Sequence, residues 1–150
     1  VHGIDFYPTL LELAGNPWLP PVKKHPLDGE SFADILFNPR LDTLKKFKRS
    51  PIFYLFPGYM DVRAQPCVVT IDEIDGKRYK LIYFYEADEW ELYNLTEDIG
   101  EKTNLANEIP DVSASLSKKI QSWLSQKHPT WQPKFPINKK TGKPVLPRFL

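Results

Sequence analysis

The sequence CVVTIDEIDGKRYKLIYFY, at residues 67–85, decides the fold. Two runs rich in β-branched and aromatic residues flank the dipeptide Asp75-Gly76. This dipeptide favours a type I′ reversal, because both central residues of that turn need positive φ. We therefore predict a hairpin with one strand from Cys67 to Ile74 and the next from Tyr79 to Tyr85. Side chains alternate along such a strand, so one face of the second strand carries Tyr79, Leu81, Tyr83 and Tyr85.

Further strands and a helix are predicted on both sides of the hairpin. The run at residues 52–56 is strongly β-prone, and residues 90–95 supply a fourth short strand. The following apolar stripe has the spacing of an amphipathic helix, which should pack on the sheet because a helix of about 15 residues is marginal alone. The predicted fold class is α+β, with a small four-stranded antiparallel sheet and one packed C-terminal helix. The stripe consists of Val112, Leu116, Ile120, Trp123 and Leu124.

The ends of the chain have a different character. Residues 5–14 are predicted to form a helix, with Asp5 as N-cap, Pro8 in the first turn and Gly15 after the end. Prolines then interrupt the chain over residues 16–26, and residues 32–36 suggest one or two further helical turns. Residues 45–49 form a basic cluster. The Pro- and Lys-rich tail, residues 128–150, is expected either to wrap over a neighbouring domain or to be disordered.

Composition limits the function classes. The chain has 150 residues, of which 41% are hydrophobic, so it can bury a core. Its 20 basic and 19 acidic residues nearly cancel, which gives no reason to expect a nucleic-acid or membrane partner. No apolar stretch approaches the roughly 20 residues of a membrane span. The chain begins at Val1 in a helix-like pattern, so we expect that it continues a longer sequence.

None of the reactive residues forms a recognisable catalytic or metal site. The three histidines, His2, His25 and His128, lack a second ligand at metal-binding spacing and are interpreted as surface residues. The acidic residues of 86–101 lack the alternating pattern of a calcium loop, which favours a solvated face. Cys67 lies in an apolar run without a nearby base, so we interpret it as a structural thiol. The basic residues of the tail could bind an anionic polymer, or they could only make a terminus soluble.

Two separated signatures resemble the C-terminal part of sulfatases of the alkaline-phosphatase superfamily. The first is DFYPTLLELAG at residues 5–15 followed by LDGESF at 27–32. The second is YKLI at 79–82, then WELYNL at 90–95 and EDIGEKTNLA at 97–106. Their order and spacing together make the resemblance specific, and it covers residues 1 to about 127. It implies that residues 1–40 are the last helical pieces of a large catalytic α/β domain and that residues 41–127 are the C-terminal subdomain.

The resemblance also implies a reaction. Sulfatases hydrolyse sulfate esters with a formylglycine made in a Cys/Ser-x-Pro-x-Arg motif, while calcium and basic residues hold the sulfate. Cys67 does not fit that motif, since Val69 replaces the proline and Ile71 replaces the arginine. No catalytic residue, metal ligand or cofactor is therefore expected in this chain, which alone should be inactive. The formylglycine and the calcium are expected in an N-terminal catalytic domain, and the enzyme is expected to be periplasmic or secreted.

The resemblance implies that this chain contributes to substrate selection. The loop after the first strand of the subdomain often borders the active site in relatives, and here it covers residues 56–66. Tyr59 is expected to stack on a sugar ring and Arg63 to pair with an anionic group. Relatives often have histidines in this region that are missing here. The expected substrate is a sulfated carbohydrate or an aryl sulfate.

Other functions stay open at this point. The chain could be a non-catalytic binding module that uses its basic tail and exposed aromatic residues. It could also belong to a phosphoester or phosphonate hydrolase of the same superfamily. The expected partner of the sulfatase subdomain is its own catalytic domain, and a homodimer of the fragment is another way to cover the apolar face of the first helix.

Overall fold

The computed structural model describes residues 1–15, 27–38, 49–59, 65–126 and 132–150. They belong to two compact units: a helical unit, which contains the described residues up to Ser50, and a sheet unit, which begins at Pro51 and includes residues 132–150. No helix in these ranges has the length and apolar character needed to cross a membrane. The domain boundaries after residues 40 and 127 stay a prediction.

The helical unit contains a 3₁₀ turn at Gly3–Asp5, α1 at Phe6–Leu13 and α2 at Ala33–Phe37. The short helices expected from the sequence are therefore present. Asp5 lies at the N-cap position of α1 as predicted, but its side chain makes no capping hydrogen bond to that helix. Its buried carboxylate instead contacts the backbone of Glu30 and the side chain of Arg49, which are distant in sequence. The proline-rich stretch at 16–26 and most of the basic cluster at 45–49 lie outside the described residues.

The sheet unit has the predicted α+β architecture. Its strands are β1 (Ile52–Phe56), β2 (Cys67–Ile74), β3 (Lys77–Phe84) and β4 (Glu89–Asn94), and its helix is α3 (Pro110–Ser125). All neighbouring strands are antiparallel, in the order β1-β2-β3-β4. The predicted hairpin connects β2 and β3, with φ of 51° at Asp75 and 75° at Gly76, as a type I′ turn requires.

The core lies between α3 and one face of the sheet. Leu81 and Leu92 on the sheet and Leu116 and Ile120 on α3 are completely buried. Near the end of α3 the ring of Trp123 stacks on Phe53, with 5.0 Å between the ring centroids. Truncating a buried leucine such as Leu116 to alanine typically costs about 2–5 kcal/mol. The helix therefore forms because it packs on the sheet, as its apolar stripe predicts.

The described part of the tail, residues 132–150, packs on the sheet unit. The sequence left open whether the tail wraps over a neighbouring domain or is disordered; these residues pack against the core of the sheet unit itself. The indole Nε1–H of Trp90 donates to the carbonyl of Arg148 at 2.8 Å, and the N–H of Leu150 donates to Ser117 Oγ at 3.0 Å. Three apolar side chains of the tail pack against the core, namely Phe135, Val145 and Phe149.

Candidate functional site

The loop that follows β1 contains Tyr59, one of the two residues predicted from the sequence to contact the substrate. In the sheet register Cys67, the first residue of β2, lies between Phe56 at the end of β1 and Phe84 at the end of β3. Because β1 and β3 are both antiparallel to β2, they run in the same direction and end at the same edge of the sheet. This edge brings together Tyr59, after β1, and Glu86, after β3.

Tyr59 donates a hydrogen bond of 2.8 Å from its phenol to the carboxylate of Glu86. That hydrogen bond raises the pKa of the Tyr59 phenol above its usual value of 10.0. The side chain is nevertheless 63% exposed. Tyr59 is therefore held at its polar end by Glu86 while its ring is available to a ligand, and the ring has the flat apolar surface on which sugars and other rings stack.

Arg63, the second predicted substrate residue, lies outside the described residues, which exclude 60–64. Its pairing with an anionic group stays a prediction. The role of Glu86 as the partner of Tyr59 was not predicted, because in the sequence Glu86 is one of several acidic residues interpreted as a solvated face. The signal that could have found it is topological: the end of β3 must lie near the end of β1 once the strand order is known.

The acidic residues around β4 form separate contacts. Asp88 accepts a hydrogen bond of 2.5 Å from the Tyr83 phenol and also pairs with Arg148. Burial, followed by this hydrogen bond, raises the pKa of Tyr83 to about 12. Glu101 pairs with Lys80 at 2.8 Å. Within the described ranges, no group of three or more His, Cys, Asp or Glu residues is arranged to hold a metal ion.

Cys67 does not have the environment of a nucleophile. Burial raises the pKa of its thiol above the usual 9.0, and the nearby positive charge of Lys80 only partly opposes this effect. The thiol is therefore protonated at neutral pH, whereas a reactive cysteine needs a lowered pKa. The structure supports the interpretation of Cys67 as a structural residue of β2.

The first sulfatase-like signature forms a buried polar network. Asp5 is completely buried, and its carboxylate accepts the N–H groups of His2 at 2.5 Å and Glu30 at 3.0 Å and pairs with Arg49. Burial alone would raise the pKa of Asp5, but these donors outweigh burial and lower it below 3.8. The two halves of the signature also come close at Gly29, where an added Cβ would lie 3.1 Å from the Cα of Asp5 and 2.0 Å from the carbonyl oxygen of the preceding residue, Ile4.

The last part of the second signature, residues 97–106, lies in the connection between β4 and α3. The side-chain oxygen of Asn104 accepts the N–H of Leu92 at 3.0 Å, and the N–H of Leu105 donates to the carbonyl of Leu92 at 2.8 Å. Asp98 accepts the N–H groups of Lys102 and Thr103 at 2.7 and 2.9 Å. Each signature therefore contains polar residues whose hydrogen bonds to the backbone hold the chain in its path, Asp5 in the first and Asp98 and Asn104 in the second.

These features define a class of protein. Four antiparallel strands with one packed helix, preceded by short helices and carrying both signatures, match the small α+β architecture that the resemblance to C-terminal regions of sulfatases implies. The chain belongs to the family described as N-sulphoglucosamine sulphohydrolase, C-terminal, whose sequence profile matches residues 1–128. The resemblance inferred from the two signatures is confirmed.

Individual proteins show the same similarity. A protein of Formosa agariphila named Sulfatase is 43% identical over 130 residues, covering 83% of this chain and 23% of that protein. Arylsulfatase K of Mus musculus is 30% identical over 127 residues, covering 81% of this chain and 21% of that protein. A protein solved in complex with its substrate D-glucosamine-2-N,6-O-disulfate has a TM-score of 0.52 at 22% identity, covering 85% of this chain and 25% of that chain. The chain thus spans less than a quarter of the length of these two curated relatives.

Proposed function

We propose that this chain is the C-terminal subdomain of a sulfuric ester hydrolase that cleaves a sulfated carbohydrate or an aryl sulfate. The observation that carries the proposal is the family match over residues 1–128, which includes both signatures. The curated relatives are named Sulfatase and Arylsulfatase K. By the same resemblance, the enzyme works in the periplasm or outside the cell.

The catalytic centre is proposed to lie in a separate N-terminal domain. The sequence of this chain contains no Cys/Ser-x-Pro-x-Arg motif. Cys67 has a raised pKa, and the described residues form no cluster suited to a metal ion. The formylglycine and the calcium of the proposed enzyme would therefore be held by residues outside this chain, and these residues alone would not turn over substrate.

The partner of this chain is proposed to be that catalytic domain, which would cover the apolar face of α1. Phe6 and Leu10 are 54% and 61% exposed, and Tyr7 and Leu13 are also exposed. Apolar patches of this kind mark interaction sites in soluble proteins. A homodimer of the isolated fragment is the alternative way to cover the same face.

Substrate selection is proposed to occur at the loop after β1. Tyr59 presents an exposed ring that is fixed through Glu86, and this geometry suits stacking on a sugar or aryl ring. Arg63 follows four residues later in the same loop and would pair with an anionic group of the substrate. One of the similar structures contains a sulfated glucosamine as substrate, which supports the choice of a sulfated sugar.

The proposal is tested by turnover of an aryl sulfate and a panel of sulfated sugars. The intact protein, produced together with a formylglycine-generating enzyme, is compared with residues 1–150 alone. We expect turnover by the intact protein only. Turnover by residues 1–150 alone would contradict the proposed division of roles, and an intact protein that cleaves no sulfate ester would favour a binding module.

A further inference from the structure

Residues 136–145 form a short hairpin near the end of the chain. Ile137 and Pro144 form an antiparallel bridge. The N–H of Asn138 donates to the carbonyl of Lys143 at 3.0 Å, and the N–H of Gly142 donates back to the carbonyl of Asn138 at 2.8 Å. The side chain of Asn138 closes the turn from inside, because its Oδ1 accepts two backbone N–H groups. These belong to Lys140, at 2.9 Å, and Thr141, at 3.1 Å.

The hairpin is attached to the core of the sheet unit on both sides of its turn. Phe135 precedes the turn, Val145 and Phe149 follow it, and all three pack against the core. We call residues 138–143 the lysine tip, since they include Lys139, Lys140 and Lys143. The lysine tip is therefore held in a defined conformation, whereas a terminus that served only to increase solubility would not need one.

The charges of the lysine tip have no acidic partners among the described residues. Its three lysines are exposed, and none is within salt-bridge distance of a described carboxylate. Arg148, by contrast, pairs with Asp88. The sequence also contains no Asp or Glu after Asp111. The tip thus concentrates positive charge in a chain whose net charge is only +1.

We propose that the lysine tip is a binding surface for a polysulfated polysaccharide, in addition to the substrate loop after β1. A lysine ammonium is a compact point charge that suits repeated sulfate groups without demanding one geometry. Residues 138–143 have no aromatic side chain, which single-stranded nucleic acids need for stacking. The choice of sulfate among polyanions depends on the proposed sulfatase function.

The test is the affinity of the intact protein for dextran sulfate as a function of salt concentration, with unsulfated dextran as the polymer control. Each lysine that displaces counterions contributes about one unit to the slope of log affinity against log salt. The triple variant Lys139→Ala/Lys140→Ala/Lys143→Ala should therefore flatten this slope by about 2–3 units. The matched variant Lys77→Ala/Lys102→Ala/Lys118→Ala removes the same charge from exposed positions elsewhere and should keep the slope.

A second readout separates this inference from the proposed function. Turnover of a monomeric aryl sulfate should be the same in the triple alanine variant and the parent protein. The variant Lys139→Arg/Lys140→Arg/Lys143→Arg keeps the three charges and should therefore retain the salt slope. Equal slopes in the parent and the alanine variant would overturn the inference. Binding to anionic phospholipid vesicles without binding to dextran sulfate would also overturn it. If the slope falls as expected in a protein without sulfatase activity, the proposed function fails while anion binding by the tip stands.

Discussion

The phenol of Tyr59 donates its hydrogen bond to Glu86, 27 residues further along the chain, at the edge where β1 and β3 both end. The carboxylate thus fixes one end of a side chain that belongs to a largely exposed residue. This relationship gives the loop after β1 a defined aromatic surface. It also makes Glu86 a residue that positions Tyr59 without needing to touch the substrate.

Replacing Tyr59 should weaken the binding of ring-containing substrates. Aromatic stacking contributes about 0.5–1.5 kcal/mol, so Tyr59→Ala should raise KM for a sulfated sugar about 2- to 12-fold with kcat nearly unchanged. Tyr59→Phe and Glu86→Gln should have smaller effects, since both retain the ring. Tyr93→Phe is the matched control, because Tyr93 donates a similar hydrogen bond to Glu91 at 2.9 Å. Unchanged KM in Tyr59→Ala would remove Tyr59 from the substrate site.

Replacing Arg63 should weaken the binding of anionic substrates specifically. A hydrogen bond to a charged group contributes about 1.5–3 kcal/mol, so Arg63→Ala should lower kcat/KM about 10- to 150-fold. Arg78→Ala serves as the control, because Arg78 is an exposed arginine of β3. The assignment of Arg63 has to be abandoned if the variant cleaves every accepted substrate as fast as the parent enzyme.

The Asp5 network should stabilise the helical unit in a pH-dependent way. Because the folded pKa of Asp5 is lowered, its stabilisation is complete above the usual value of 3.8 and is lost as the pH falls through the folded pKa. Hydrogen exchange at the amides of Glu30 and Phe32 measures this locally. Asp5→Asn should remove about 3 kcal/mol of protection, since it leaves Arg49 without its carboxylate.

The matched variant for this experiment is Asp72→Asn. Asp72, like Asp5, is buried and paired with a basic side chain, in this case Lys119, but it belongs to the sheet unit. The Asp72→Asn variant should therefore leave the hydrogen exchange of the Glu30 and Phe32 amides unchanged. Equal protection in Asp5→Asn and the parent protein at pH 7 would show that the network does not hold the two halves of the first signature together.

Replacing Leu10 with a charged residue tests whether the catalytic domain covers the apolar face of α1 or whether that face is in contact with water. Leu10 is 61% exposed in this chain, so a charge there would change stability by less than about 0.5 kcal/mol if the face met only water. If the catalytic domain covers α1, Leu10→Asp should lower the free energy of unfolding of the intact protein by 2 kcal/mol or more, because a charge is then buried. Glu12→Gln, which changes the charge at another exposed position of the same helix, is the control. Unaltered thermal stability in Leu10→Asp would contradict the proposed partner.

The parts of the fold that depend on local chemistry could be predicted from the sequence. The β2–β3 turn follows from Asp75-Gly76 because few dipeptides accept positive φ at both positions. The strands β1 and β2 have the predicted bounds, since alternating β-prone residues identify them directly. The packing of α3 could also be predicted from the sequence, because the burial of Leu116 and Ile120 follows from their helical spacing.

The parts that depend on distant contacts could not be predicted. The carboxylate of Asp5 meets the backbone of Glu30 and the side chain of Arg49, which are 25 and 44 residues away. A single sequence predicts the local preference of Asp5 for a helix start and contains no signal for these partners. The order of the tail likewise depends on contacts such as that between Trp90 and Arg148, 58 residues apart. Of the two residues that contact each other at the candidate site, Tyr59 was predicted from the sequence and Glu86 was not.

The proposed sulfatase function is tested by comparing two esters in one preparation of the intact protein. An aryl sulfate and the corresponding aryl phosphate have the same leaving group, so the ratio of their kcat/KM values reports which group the enzyme transfers. We expect a ratio well above one in favour of the sulfate, and the loss of this activity when the formylglycine-generating enzyme is omitted. A ratio in favour of the phosphate would show that the chain belongs to a phosphoester hydrolase and that the proposed function is wrong.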